Sequence, residues 1–232
     1  MPNWCYQHLE ISGDNAELNR FIKETTGYEE EVIFDGEVKP NLFFDFNSLV
    51  KCPDELKTTM AGWSNDPDAQ EKLKQQENTN LEKYGHKNWY DWCCEVYGTK
   101  WGACSIDLID DLEPSTNPKE FGTLCPEYNG LRFEFTSAWS PASNLIKLIS
   151  GMFPQLTFAM WYTEESNMYA GWEVFRNDVV VDFAGHDPQP PSSEGITEEQ
   201  WQEEYETWNN NLMQYLEAGL SLGVHQAKKI AV

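Results

Sequence analysis

Between Leu131 and Phe183 the apolar residues change period twice, which restricts the chain to a β-sheet carrying a helix on one face. Leu131, Phe133 and Phe135 alternate with Arg132, Glu134 and Thr136, the two-residue period of a half-buried strand. Ser140-Pro141 reads as a helix start with proline at the first helical position. Leu145, Leu148, Ile149 and Met152 supply its buried stripe, and Phe153-Pro154 stops it. Strands over 156–163 and 168–175 follow, with a turn at Glu165-Ser166-Asn167 between them. Asn177-Asp178 is a tight turn into a last strand over 179–183.

The start of the chain has the same pattern. Cys5, Leu9 and Ile11 fall on one side of an alternating segment that Gly13 ends. Asp14 with Glu17 makes a capping box for a helix striped by Leu18, Phe21 and Ile22, running to about Gly27. Residues 28 to 100 read as a long insertion beginning at Glu29-Glu30-Glu31. It holds a short strand through Phe43-Phe44-Asp45-Phe46 and a turn at Cys52-Pro53-Asp54-Glu55-Leu56 into polar helical sequence. A helix over about 80–96 then aligns Leu81, Tyr84, Trp89, Trp92, Cys93 and Val96, and Gly98 stops it. Cys104, Ile106 and Leu108 restore the strand period.

Without the insertion the order is strand, helix, strand, strand, helix, strand, with further strands at the end. That order predicts an α+β fold, a ferredoxin-like antiparallel sheet covered by helices, with a long helical insertion and a C-terminal helix. The expected domains are 1–185, ferredoxin-like with the insertion at about 28–100, and 186–232. The second comprises a linker rich in proline and serine and an acidic amphipathic helix. In that helix Thr197 and Gln200 form a capping box, and Trp201, Tyr205, Trp208, Leu212, Tyr215 and Leu216 line one face. Glu199, Glu203, Glu206 and Glu217 lie roughly opposite, and no lysine or arginine occurs between Asn177 and Ala227.

Charge narrows the function classes. Lys plus Arg number 16 against 39 Asp plus Glu, a formal net charge of −23. A field of that sign repels nucleic acid and favours basic protein partners, cations or plain solubility. The first residues lack the basic and apolar regions of a secretion signal, and no apolar run is long enough to cross a bilayer. The expected location is the cytoplasm, with the six cysteines reduced.

Met1-Pro2-Asn3-Trp4-Cys5, Phe46 to Leu56, Tyr97-Gly98-Thr99-Lys100-Trp101 and Thr136-Ser137-Ala138-Trp139-Ser140-Pro141 occur in that order. Together with the strand-turn-strand after Phe153-Pro154, they resemble the YubB-like ferredoxin-like family of phage and plasmid proteins over about residues 1 to 185. The resemblance implies a ferredoxin-like fold, a mobile-element setting in a host cytoplasm, and no assigned reaction. Its motif residues Trp4, Lys100, Trp101 and Trp139 are expected to be structural, with the tryptophans packed into the core. The Ser137 insertion and Ala142 depart from the expected Thr-Ala-Trp-Ser-Pro-Pro form.

No linear motif marks a reaction centre. Cys93-Cys94, Cys104 and Cys125 with His86 lack paired metal-ligand spacing and are expected to be buried thiols. His8, His86, His186 and His225 are scattered, and Gly98-Thr99-Lys100 lacks the upstream glycine of a phosphate loop. A Pro2 amine acting as a base would need a cationic pocket that so acidic a chain is poorly equipped to build. Glu164-Glu165 and Asp110-Asp111 are neighbours along the chain, and a solvated surface is their default. No catalytic, cofactor or metal residue is therefore assigned, and an enzyme is the less favoured class.

The favoured class is an acidic protein-binding module of a mobile element. Glu199, Glu203, Glu206 and Glu217 would engage a basic surface of a host protein. A nucleic-acid mimic directed at a host defence nuclease or CRISPR-type complex is its specific form. The alternatives are an enzyme with a non-linear site and a homo-oligomer joined through Trp201, Tyr205 and Trp208. The acidic module predicts no direct nucleic acid, membrane or cofactor partner.

Overall fold

The computed structural model describes residues 2–25, 33–34, 37–38, 44–110, 112–113, 123–126 and 128–230. Its centre is a six-stranded antiparallel sheet. The strands are β1 (Trp4–Ser12), β4 (Cys104–Leu108), β7 (Gly130–Ala138), β8 (Thr157–Glu164), β9 (Ala170–Arg176) and β10 (Val179–His186), in the order β10-β9-β8-β1-β7-β4. The four strands β8-β1-β7-β4, with α1 (Asn15–Thr25) and α6 (Ser143–Met152), make the ferredoxin-like unit. The hairpins to β9 and β10 extend it beyond β8. Asn177 and Asp178 both take positive φ, 51° and 62°, as a two-residue hairpin turn requires.

Alternation decides which residues face which layer. Leu9 and Ile11 of β1, Leu131, Phe133 and Phe135 of β7, and Phe158 and Met160 of β8 point to the inner face. There they meet Leu18, Phe21 and Ile22 of α1 and Leu145, Ile146 and Ile149 of α6. Asp14 caps α1 by accepting from the Ala16 N–H at 2.9 Å, but Glu17 turns to Arg20 at 2.8 Å instead of closing the box. In α6 the stripe is Leu145, Ile146 and Ile149, while Leu148 and Met152 are exposed, and the helix begins at Ser143 and not at Pro141. Gln7 takes the Ala142 N–H at 2.8 Å and Ser140 donates to the Gly98 carbonyl at 2.5 Å, which holds Pro141 in the loop.

Two short strand pairs, β2 (Ile33–Phe34) with β3 (Glu37–Val38) and β5 (Leu112–Glu113) with β6 (Thr123–Leu124), lie outside the main sheet. The helices α2 (Phe46–Leu49), α3 (Asp54–Thr58), α4 (Pro67–Tyr84) and α5 (Trp89–Val96) fall between α1 and β4. The strand expected through Phe44 and Phe46 is a helix start: Asp45 accepts from the Asn47 N–H and so caps α2. Phe43 and Glu29-Glu30-Glu31 lie outside the described residues. The single helix expected over 80–96 is two helices. Gly85, at φ 76°, ends α4, and Asn88 starts α5 by accepting from the Tyr90 and Asp91 N–H groups. Leu81 is consequently exposed, and the buried Asn80 bridges Thr59 Oγ1 and the Lys87 carbonyl at 2.9 and 2.8 Å.

Half of the outer face, that of β8, β9 and β10, is covered by one helix, α7 (Glu198–Ile230), 33 residues long. Its capping box forms as the sequence predicts: Gln200 N–H donates to Thr197 Oγ1 and Thr197 N–H to Gln200 Oε1. Leu212, Leu216, Leu220 and Ala227 seat it on Ala159, Ala170, Trp172 and Val174, so it packs on β8, β9 and β10. The outer face of β1, β7 and β4 is left uncovered by α7, and Tyr6, Arg132 and Glu134 on it are exposed.

Candidate functional site

The boundary between the covered and uncovered halves of the outer face is a groove of about 740 Å³. β1 contributes His8 and Glu10, β7 contributes Arg132 and Glu134, β8 contributes Trp161, and α7 contributes Glu217, Ser221 and His225. Strand parity puts the β-residues there: they are the partners of inward-facing Leu9, Ile11, Phe133 and Met160 along each strand. Cross-strand register sets His8 opposite both Glu134 and Trp161.

His8 is held on all sides. Its ring lies parallel to the Trp161 ring, centroids 5.3 Å apart. Nε2 meets Glu10 at 3.2 Å and Nδ1 meets Glu134 at 3.3 Å. Burial opposes the charged imidazolium, but the hydrogen bonds and charges of Glu10 and Glu134 outweigh it, and the pKa is raised. Glu10 is correspondingly held below the usual carboxylate range, chiefly by its hydrogen bond from His8. With both nitrogens engaged by carboxylates, the charged form of His8 is favoured, and in that form it has no lone pair with which to accept a substrate proton. Arg132 is committed to Asp110, with Nη2–Oδ1 at 2.8 Å. Glu217 has no ion-pair partner among the described residues. The groove therefore presents net negative charge beside an indole face, a combination that suits a cationic side chain.

Because the folded pKa of His8 is raised, its contribution to stability is full below the unfolded value of about 6.5. It is lost as pH rises through the folded value. The wild type is expected to exceed His8→Gln in unfolding free energy near pH 5.5, with the gap closing by about pH 9. Parallel denaturant titrations at the two pH values check this; a gap that does not change with pH contradicts it.

The four glutamates singled out in the sequence share one face of α7, since 199, 203, 206 and 217 fall within about 60° of one another at 3.6 residues per turn. All four are exposed, and Glu217 overlooks the groove. Trp201, Tyr205 and Trp208 stack successively at 5.2 and 5.3 Å, half-buried, and Trp201 Nε1 donates to the Pro191 carbonyl at 3.2 Å. Part of this aromatic surface is thus used within the chain, while Leu212 and Leu216 seat the helix.

Of the motif residues, Trp4, Lys100 and Trp101 gather at the other end of the uncovered half, where β1 and β4 begin, and Trp139 directly follows β7 at the same end of the sheet. None of the three tryptophans belongs to the core: Trp4 and Trp101 are half-buried and Trp139 is 50% exposed. The expectation of core packing fails because even-numbered positions of β1 face outward and because Trp101 and Trp139 sit in loops.

Beneath that end lies a buried polar cluster that adjacency in sequence misrepresents. Glu164 is not on a solvated surface; it is 3% exposed and caps the β8–β9 turn, accepting from the Ser166 and Met168 N–H groups at 3.0 and 3.1 Å. Cys5 pairs with it across the sheet, and burial pushes the Cys5 thiol up to about 12. Burial likewise raises the Glu173 carboxyl. Among the described residues, Glu164 Oε1, Glu173 Oε2 and Ser143 Oγ are buried without a hydrogen-bond partner. The other thiols divide: Cys52 and Cys93 are buried, Cys104 and Cys125 half-buried, and Cys94 exposed on the outer turn of α5. Among the described residues no group of three or more His, Cys, Asp or Glu is placed to hold a metal ion. Nor is any described helix long and apolar enough to cross a membrane.

A family model described as a ferredoxin-like domain in Api92-like protein matches residues 115–211, from before β7 into the first turns of α7. The crystal structure of a protein api92 from Yersinia pseudotuberculosis is similar with a TM-score of 0.44 and 14% identity, covering 82% of this chain and 100% of that one. No curated protein matches the chain.

Proposed function

We propose that the chain is an acidic protein-binding module that receives a basic surface of a partner protein along α7 and the groove beside it. The observation that carries the proposal is the alignment of Glu199, Glu203, Glu206 and Glu217 on the exposed face of a helix whose opposite face is seated on the sheet. They span about 27 Å of helix axis, one carboxylate per roughly 9 Å. Duplex DNA carries one charge per about 1.7 Å. The row is sparser than duplex phosphate, so it would engage only some of the cations in a nucleic-acid groove. The mimic of nucleic acid that inhibits a host nuclease or CRISPR-type complex is the narrower form of the proposal. A mobile-element setting, implied by the resemblance to the YubB-like family, accords with it.

The Glu199/Glu203/Glu206/Glu217→Gln quadruple variant removes four charges at nearly constant shape and breaks no ion pair among the described residues. In affinity capture from host lysate, partners retained by the wild type at about 50 mM salt are expected to be lost in the variant, and from the wild type at about 500 mM. Capture that is unchanged by the substitutions and by salt would sink the proposal.

A further inference from the structure

The uncovered half of the outer face runs from the acidic groove to an aromatic end of different character. Trp4 and Tyr6 continue the outward row of β1 beyond His8, and Tyr6 is 48% exposed. Trp101 meets Trp4 edge-on, with ring centroids 6.4 Å apart. Lys100 sets its ammonium 4.9 Å from the Trp101 ring centroid and 5.7 Å from that of Tyr90. In a chain with 39 acidic residues, Lys100 makes no ion pair with any described carboxylate.

Trp139, directly after β7, places a further half-exposed indole at this end of the sheet. Its φ is 72°, a left-handed conformation in which a bulky side chain is strained. Two hydrogen bonds fix it there: its N–H donates to the Asn3 carbonyl at 2.9 Å, and its carbonyl accepts the Tyr169 hydroxyl at 2.6 Å. The surrounding loops are locked as well, by Thr99 Oγ1 to the Ala138 carbonyl and Ser140 Oγ to the Gly98 carbonyl. Backbone strain at a half-exposed indole accords with a contact outside the chain.

We propose that this aromatic end binds a planar ring carrying a single anionic group, of the nucleoside monophosphate kind. The ring stacks on the exposed indole and phenol faces, as bases stack on sheet aromatics in single-strand binders. The phosphate meets the unpaired Lys100 ammonium. Net charge fixes the size of the ligand: a field of −23 repels a polyanion, whereas one phosphate at a local cation is tolerated. This site is separate from the acidic face of α7 and does not depend on its role.

The test titrates the full chain with adenosine monophosphate, adenosine, inorganic phosphate and a short oligo(dA), read by tryptophan fluorescence. Adenosine monophosphate is expected to give saturable quenching, adenosine to bind about tenfold more weakly, and inorganic phosphate alone to give no change. Lys100→Met, which keeps the alkyl stem, is expected to reduce the nucleotide's affinity to that of adenosine. Trp101→Leu is expected to weaken both, with far-UV circular dichroism confirming the fold of each variant. Absence of saturable quenching by the monophosphate overturns the proposal. So does indifference of its affinity to Lys100→Met, or tighter binding of oligo(dA) than of the monophosphate.

Discussion

The Gly219→Val variant is expected to lose about 3 kcal/mol of stability and the seating of α7 on the sheet. A side chain at this position would overlap the indole of Trp172, a buried residue of β9 with no room to retreat. One turn later a Cβ on Gly223 would stand 2.6 Å from Val174 Cγ2. Glycine inside a helix costs about 1 kcal/mol relative to alanine, so two of them spaced by four residues are explained only by the close approach they allow. Without it the contacts of Leu212, Leu216 and Leu220 with the outer face fail together. Urea denaturation and protease susceptibility of the helix measure the effect. Ala218→Val, on the exposed side of the same turn, is the control and should stay within about 0.5 kcal/mol of wild type. Equal behaviour of the two variants would show that α7 is not packed as described.

Phe44→Ala is expected to cost about 4 kcal/mol. The Phe44 ring packs against those of Phe133 at 4.7 Å, Phe135 and Phe46 at 5.2 Å, and Phe21 at 6.2 Å. It joins the segment before α2 to the centre of the inner core, and the Asp45 N–H, bonded to the Thr25 carbonyl at 2.8 Å, ties the same segment to the end of α1. Truncation leaves a cavity between rings that cannot all close on it. The loss should appear in guanidinium unfolding followed by fluorescence and circular dichroism together. A cost under about 1 kcal/mol would place Phe44 outside the core.

Sequence alone carried the sheet far better than the insertion. Strands such as β1 and β7 bury one face each, so Leu9, Ile11, Phe133 and Phe135 announce themselves by period two. The Thr197–Gln200 capping box marked the start of α7 by local chemistry alone. Between α1 and β4, the helix bounds are set by single caps, Asp45, Asp66 and Asn88, and by the left-handed Gly85, features too local to shift a period. Phe44 read as strand because two aromatics flanking an aspartate look alternating, whereas the aspartate was a helix cap.

The candidate site was legible only in part. Glu217 and its partners on α7 follow from helical spacing, because one helix supplies them all. The groove facing them could not be read, since His8, Glu134, Trp161 and Glu217 come from four elements. A usable signal did exist: once Leu9 and Ile11 are inward, Tyr6, His8 and Glu10 must share the outer face. The misplacement of Glu164 has the same origin. Adjacent residues of a strand point to opposite sides, so a neighbouring pair of carboxylates at a strand end divides between interior and solvent.

The position of β1 has a consequence for how the protein is made. It precedes the other strands of the sheet along the chain, yet it lies inside the sheet, pairing Leu9 with Phe133 on one side and with Met160 on the other. Its neighbours begin only at Gly130 and Thr157, more than a hundred residues later. At about 5–20 residues per second that delay is on the order of 10 s. During it, β1 lacks both of its sheet neighbours, and the apolar row of Cys5, Leu9 and Ile11 has only the interleaved His8 and Glu10 as polar company. Vectorial synthesis thus makes sheet closure a late event, triggered when β8 emerges, and nascent chains that end before it should leave the N-terminal strand open to proteases.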